Sequence, residues 1–305
     1  MRILSIDGGG IRGIIPALVL AEVEARTGRR IAELFDLVAG TSTGGILACA
    51  LTVPGARPAR ELVELYRTEG PRIFHRSLVR RVESADGLLD ERYDDAALRS
   101  ALAGYLGTAR LSDATTRVLA TAYDLEGREP YFFKSWRADR DAPMVEVARA
   151  TAAAPTYFEP IGVDGLALVD GGVFATNPAM CAYAEAARLA QEAGARIDVR
   201  LLSLGTGRLT RPMHLADARG WGLLEWVRPL IDVVFDGVAD TVDYQLQHIL
   251  GEGAYTRLQT DLDQASDALD DASPANLARL EGEAAGLIAA RSAELDAVCA
   301  ELVAP

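Results

Sequence analysis

Twice within its first 45 residues the chain repeats one pattern: a short apolar run ends in glycines, and a helical stretch follows. Residues 3–6 run into Asp7-Gly8-Gly9-Gly10-Ile11-Arg12-Gly13, and residues 35–39 run into Gly40-Thr41-Ser42-Thr43-Gly44. Short apolar runs bounded by glycine read as strands buried on both faces. Strands of that kind alternate with helices that cover them, so the expected fold is α/β with a largely parallel central sheet.

The same reading extends along the chain. Helices are expected over 13–27, with Gly28 just past the end, over 43–53, stopped by Pro54, and over 59–69, ahead of Gly70-Pro71. Residues 71–93 read as irregular, 94–106 and 144–153 as helices, and 117–123 and 131–134 as strands. A strand at 166–169 enters Asp170-Gly171-Gly172, a helix covers 178–193, and a strand at 199–204 enters Gly205-Thr206-Gly207. The remainder reads as mainly helical. No repeat or long linker divides the chain, so a single domain over 1–305 is expected, with an α/β core at 1–205 and a mainly helical part at 206–305 packed on it.

Charge narrows the partners. With 31 basic and 44 acidic residues the net charge is −13, which opposes binding to a nucleic acid polymer and simple electrostatic capture by anionic lipid. Only Lys134 is a lysine, and it sits in an aromatic run rather than a glycine loop, against both Schiff-base chemistry and a phosphate-binding lysine. Cys49, Cys181 and Cys299 are scattered, as are His75, His214 and His248, so no metal site and no disulfide framework is expected. The chain starts without an apolar leader and has no apolar run near 18 residues, so a cytoplasmic protein without a membrane span is expected.

Two glycine loops carry the chemistry. Gly8, Gly10 and Gly13 fit a dinucleotide fingerprint, but the second strand does not end in the acidic residue that fingerprint needs, Asp36 lying too early. What remains is a tight turn, or a loop whose backbone N–H groups converge on an anion at a helix N-terminus. Gly40-Thr41-Ser42-Thr43-Gly44 fits G-x-S-x-G, the sharp strand-to-helix turn that exposes a serine hydroxyl. Together the loops supply a nucleophile and an oxyanion hole.

A serine nucleophile needs a base. The order Ser42, Asp170, His248 would suit an α/β-hydrolase triad, but too few residues precede Ser42 for that fold, and His248 lies in a helical stretch. Asp170 ends an apolar strand, where side chains emerge at a sheet edge. An aspartate before two glycines is also an ordinary turn residue, and position alone leaves the two readings level.

Residues 7–13, Gly40-Thr41-Ser42-Thr43-Gly44-Gly45, Asp170-Gly171-Gly172, the stretch 149–158 and Asn177-Pro178 together resemble the patatin-like phospholipases, in a bacterial, stand-alone form. Ala152 stands where that family usually has serine. The resemblance implies a three-layer patatin-like fold and a Ser–Asp dyad without histidine: Ser42 as nucleophile and Asp170 as general base. Gly8, Gly9, Gly10 and Arg12 would stabilise the oxyanion, Gly40, Thr41, Thr43 and Gly44 would form the elbow, and Gly171 and Gly172 the base loop. It implies no cofactor. The substrate would be a phospholipid or other acyl lipid, met through transient contact with a membrane surface. An acyltransferase or thioesterase, an effector in bacterial defence switched on by a small-molecule activator, and a non-enzymatic lipid-binding module are the alternatives.

Residues 221–235 hold two of the three tryptophans. Core packing is the plainer reading of this stretch. A cover over Ser42, or a surface that inserts at a lipid interface, is the sharper one.

Overall fold

Alternate residues of the central strands feed two separate cores. Ile3, Leu37, Ala39 and Leu119 pack with Ala179, Ala182, Ala186 and Leu246 on one face. Leu4, Ile6, Val38, Val118 and Ala120 pack on the other face with residues of the helices Ile14–Thr27 and Thr43–Thr52. This period-2 alternation makes the architecture three-layered, with helices on both faces of one sheet. The computed structural model describes residues 1–75, 93, 95–210, 212–251 and 253–304.

The strands are β1 (Arg2–Ile6), β2 (Leu37–Thr41), β3 (Arg117–Asp124), β4 (Glu129–Lys134), β5 (Ile161–Val163), β6 (Leu166–Asp170), β7 (Arg200–Leu204) and β8 (Tyr255–Leu258). They run in the order β5-β6-β3-β2-β1-β7-β8, with β4 also on β3. The pairs β1–β2, β1–β7, β2–β3 and β7–β8 are parallel, whereas β4 and β6 pair antiparallel with β3 and β5 antiparallel with β6. The largely parallel sheet expected from the sequence is therefore present.

One junction positions the site. β4 pairs with residues 119–124 of β3, overlapping both β2 (residues 117–121) and β6 (residues 122–124). A strand has two edges, so β2 and β6 must share the edge that β4 leaves open. Thr41 is the last β2 residue and faces Thr121; the next β3 residue, Ala122, faces Asp170. β6 thus meets β2 end to end, and Asp170 comes to lie where Ser42 leaves the sheet.

Three differences from the sequence reading have local causes. The second strand is Leu37–Thr41, not 35–39, because Ile31–Leu34 forms a helical turn closed by the Phe35 amide on the Ile31 carbonyl. Gly40 therefore sits in the strand itself. The helix from Ala59 does not stop at Gly70-Pro71: a π-turn at Leu65–Glu69 lets the Gly70 amide reach the Leu65 carbonyl, and helix continues through Gly70–Ile73. The wider turn accommodates a proline, which has no N–H to contribute. Beyond residue 75, most of the stretch read as irregular lies outside the described residues. Third, the mainly helical remainder also contributes β8, paired with β7.

Candidate active site

Ser42 occupies a left-handed conformation, with φ 55° and ψ −125°, between β2 and the helix Thr43–Thr52. A non-glycine residue there is strained and persists only when its surroundings enforce it. Two glycines make the bend possible. A Cβ on Gly40 would lie 2.1 Å from the Gly44 carbonyl oxygen, and one on Gly44 would lie 2.1 Å from that of Ile6. Hydroxyls then fix the flanks. Thr151 Oγ1 accepts the Ser42 amide at 3.0 Å, Thr41 Oγ1 lies 2.7 Å from Thr121 Oγ1 and donates to the Ala175 carbonyl, and Thr43 Oγ1 lies 2.6 Å from the Tyr66 phenol oxygen.

Asp170 is buried, its carboxylate accepts a hydrogen bond from the Gly172 amide at 2.7 Å, and it borders the same cavity as Ser42. Burial pushes its pKa up to about 7, and the neighbouring Ser42 hydroxyl and the Gly172 amide oppose the rise. Gly171 packs tightly against β3, where a Cβ would lie 2.1 Å from Thr121 Oγ1. His248 is exposed on the helix Leu223–Ile249, with Nδ1 2.7 Å from the Tyr244 carbonyl, and Lys134 pairs with Glu185 at 2.6 Å. Neither borders the cavity at Ser42.

The first glycine loop engages some of its amides and leaves others without a described protein acceptor. Gly8 N–H donates to the Thr176 carbonyl at 2.9 Å and Ile11 N–H to Leu269 at 2.9 Å. Gly8 is therefore not an oxyanion donor, contrary to the sequence reading, because its only N–H is engaged. Among the described residues no protein acceptor meets the amides of Gly9 and Gly10, and both glycines border the cavity. Arg12 also departs from expectation. It is buried behind the loop, donates from Nε to the Gly9 carbonyl at 3.3 Å, and does not line the cavity.

The cavity itself is apolar and narrow, about 80 Å³, and joins Gly9, Gly10, Ser42 and Asp170 to a wall that includes Leu65, Ile73, Phe74, Leu102 and Phe235. Sequence reading did not assign site roles to Thr151, Thr176, Thr206 or Leu269, and offered Phe235 only as the end of a stretch that could cover Ser42. The only signals for them were the family-like stretch around Thr151, the Gly205-Thr206-Gly207 loop and the aromatic stretch ending at Phe235.

Residues 4–183 match the family model described as Patatin-like phospholipase. The chain belongs to that family, whose class is lipid acyl hydrolase, a carboxylic ester hydrolase. Among curated relatives it is similar to Patatin-16 of Solanum tuberosum (35% identity, 91% of this chain and 81% of that protein) and to Patatin-like protein 2 of Arabidopsis thaliana (33%, 86% and 76%). It is likewise similar to a protein named Probable inactive patatin-3-Kuras 1 of Solanum tuberosum (34%, 91% and 83%). Among solved structures, VipD from Legionella pneumophila aligns at TM-score 0.40 and 10% identity over 95% of this chain, and the type III effector ExoU at 0.43 and 11% over 97%. The chain spans 66% and 53% of those two proteins.

The raised pKa of Asp170 has a stability consequence. Unfolded, its carboxyl titrates near ~3.9; folded, it titrates at about 7, so the fold holds a proton the unfolded chain has lost. That contribution is fully present below ~4 and disappears as pH rises through 7. Asp170→Asn keeps an acceptor for Gly172 and cannot ionise. Thermal melts should therefore find the variant more stable than the parent at pH 8, with the difference shrinking towards pH 4. A variant equally or less stable at pH 8 would mean that the buried carboxylate is not a destabilising charge.

Proposed function

We propose that the chain hydrolyses fatty-acyl esters of phospholipids or related lipids through a Ser42–Asp170 dyad and an acyl-serine intermediate. The observation that carries this reading is the placement of Ser42 and the buried carboxylate of Asp170 together on one apolar cavity, which is also bordered by two glycines whose amides have no described protein acceptor. Kinship alone would not carry it, since one relative bears the name of an inactive patatin.

Ser42 Oγ attacks the ester carbonyl carbon and its proton passes to Asp170. The carbonyl oxygen becomes an oxyanion that accepts from Gly9 and Gly10 N–H. Collapse of this intermediate breaks the ester C–O bond, and Asp170 returns the proton to the departing alkoxide. Water then attacks the acyl-serine with Asp170 again as base, and fatty acid leaves as Ser42 recovers its proton.

Ser42→Ala should abolish turnover of p-nitrophenyl acyl esters with the melting temperature retained, because alanine fits beside the two glycines. Appreciable residual turnover would remove Ser42 as nucleophile. The base must be ionised to accept a proton, so kcat should rise with pH and level off above about 7. Asp170→Asn should lower kcat at least ~10²-fold and His248→Ala should leave it unchanged. A folded His248→Ala protein without activity would restore a histidine triad.

Access to lipid falls to the helix Leu223–Ile249. Trp226, Leu230, Val233 and Val234 are exposed at spacings that form one stripe, and the adjacent Phe235 borders the cavity. Core packing, the plainer sequence reading, does not hold for these side chains. At about 80 Å³ the cavity is roughly half the ~150 Å³ that admits a benzene ring, so an acyl chain requires the wall to move. In this reading the stripe rests on a lipid surface and Phe235 shifts with it. No described helix is long and apolar enough to cross a membrane, consistent with peripheral contact. Trp226→Ser with Leu230→Ser should lose activity on phosphatidylcholine vesicles while keeping it on soluble esters. Equal loss on both, with a lower melting temperature, would make the stripe a packing surface.

A further inference from the structure

The Gly9 and Gly10 amides, which have no described protein acceptor, belong to peptide units whose carbonyls are held by residues that do not line the cavity. The N–H of Gly9 and the C=O of Gly8 share one planar trans peptide and point in opposite directions. Thr206 Oγ1 donates to that Gly8 carbonyl at 2.7 Å. The N–H of Gly10 and the C=O of Gly9 share the next peptide, and there the Gly9 carbonyl accepts from Arg12, through its amide at 3.1 Å and its Nε at 3.3 Å. Each carbonyl is thus held by a residue outside the cavity lining, and the amide of the same peptide points the other way.

Resting on the Ser42–Asp170 reading above, we propose that Thr206 is a positioning residue for catalysis: its hydroxyl aims and polarises the Gly8–Gly9 peptide so that Gly9 N–H meets the oxyanion. Thr206 is buried and directly follows β7 in Gly205-Thr206-Gly207, beyond the residues matched by the family model. Its hydroxyl has one described acceptor, the Gly8 carbonyl. The fit is close, because a Cβ on Gly9 would lie 2.2 Å from Thr206 Oγ1; glycine at position 9 is what lets the hydroxyl pass to the carbonyl behind it. Two effects then favour the transition state. A carbonyl that accepts a strong hydrogen bond polarises its own peptide, strengthening the N–H as a donor. A fixed peptide plane also avoids reorientation when negative charge develops.

The test uses Thr206→Val, which keeps the branched shape and removes the hydroxyl, and Thr206→Ser, which keeps the hydroxyl. Complete loss of an oxyanion donor costs ~10²–10³ in kcat, so freeing one donor to rotate should lower kcat about 10- to 100-fold. KM for a soluble acyl ester should stay within about twofold, since the donor acts in the transition state. The rate at which a fluorophosphonate labels Ser42 should fall with kcat, because the phosphonyl oxygen enters the same site. Thr206→Ser should restore both rates to near the parent values. A folded Thr206→Val protein with parental kcat and labelling rate would overturn the proposal, as would a Thr206→Ser protein as impaired as Thr206→Val. Should Thr206→Val not fold, Thr206→Ala decides by the same two rates. If the parent protein itself is not labelled at Ser42, the nucleophile assignment fails instead, so the two failures are separable.

Discussion

β3 is the strand on which two others end. Thr121 faces the last residue of β2 and Ala122 faces the last residue of β6, so a single step of about 3.3 Å along one backbone separates the two strand ends. Ser42 follows β2 directly and Asp170 closes β6. Their meeting is therefore set by sheet register, which shifts only if whole strands slip, rather than by the conformation of two loops. Hydrogen-bonded strands also explain how the strained Ser42 is held: β2 fixes the chain on one side, the helix Thr43–Thr52 on the other, and Thr151 accepts the amide between them. Sites built on regular elements keep reacting atoms more nearly in place than sites built on loops.

That junction is buried, and in the proposed dyad burial would supply what histidine supplies elsewhere. An exposed aspartate titrates near ~3.9 and is a weak base towards a hydroxyl, whereas an imidazole titrates near ~6.5. Desolvation moves Asp170 to about 7, into the imidazole range, without a third residue. The Ser42 hydroxyl nearby and the hydrogen bond from the Gly172 amide limit the rise, so that the group still ionises near neutral pH. In the proposed mechanism the burial that suits Asp170 to act as base also makes its charge costly to the fold, the usual trade between activity and stability at a site.

Much of this was legible in the sequence, because glycine marks close backbone approach and close approach is what the site needs. Gly40 and Gly44 around Ser42, and Gly171 beside β3, are positions where any side chain would collide with backbone or with Thr121. The apolar runs at β1, β2 and β7 were legible for a similar reason, being buried on both faces. Three kinds of information were not. A sequence does not say which amides are already engaged, so Gly8 looked equivalent to Gly9 and Gly10 although Thr176 takes its N–H. It does not say that β6 runs antiparallel to β3 and meets the end of β2, so Asp170 could not be told from a turn aspartate by position. Nor does it show which side of a mostly apolar helix lacks a partner, so Trp226 and Leu230 read as core.

The last third of the chain completes the site from behind. Ser5, Ser203 and Arg257 stand in register across β1, β7 and β8, and the Arg257 guanidinium crosses β7, bonding Ser203 Oγ at 2.8 Å on its way to Asp7 at 2.5 Å. Asp7 joins β1 to the glycine loop and is buried; burial raises its pKa, while Arg257 opposes the rise. Leu269 takes the Ile11 amide, and a Cβ on Gly10 would lie 2.2 Å from its carbonyl oxygen, so the loop cannot move outwards there. Arg257 at its first residue, Thr206 at its second and Leu269 at its fourth and fifth thus hold a five-residue loop that would otherwise be free to turn its amides. Glycine is the residue whose backbone loses most freedom on folding. A run of three can serve as an oxyanion hole only when side chains from elsewhere remove that freedom before substrate arrives. Here β7, β8 and the Leu269 segment do so, which in the proposed mechanism makes the C-terminal stretch the support of the glycine loop.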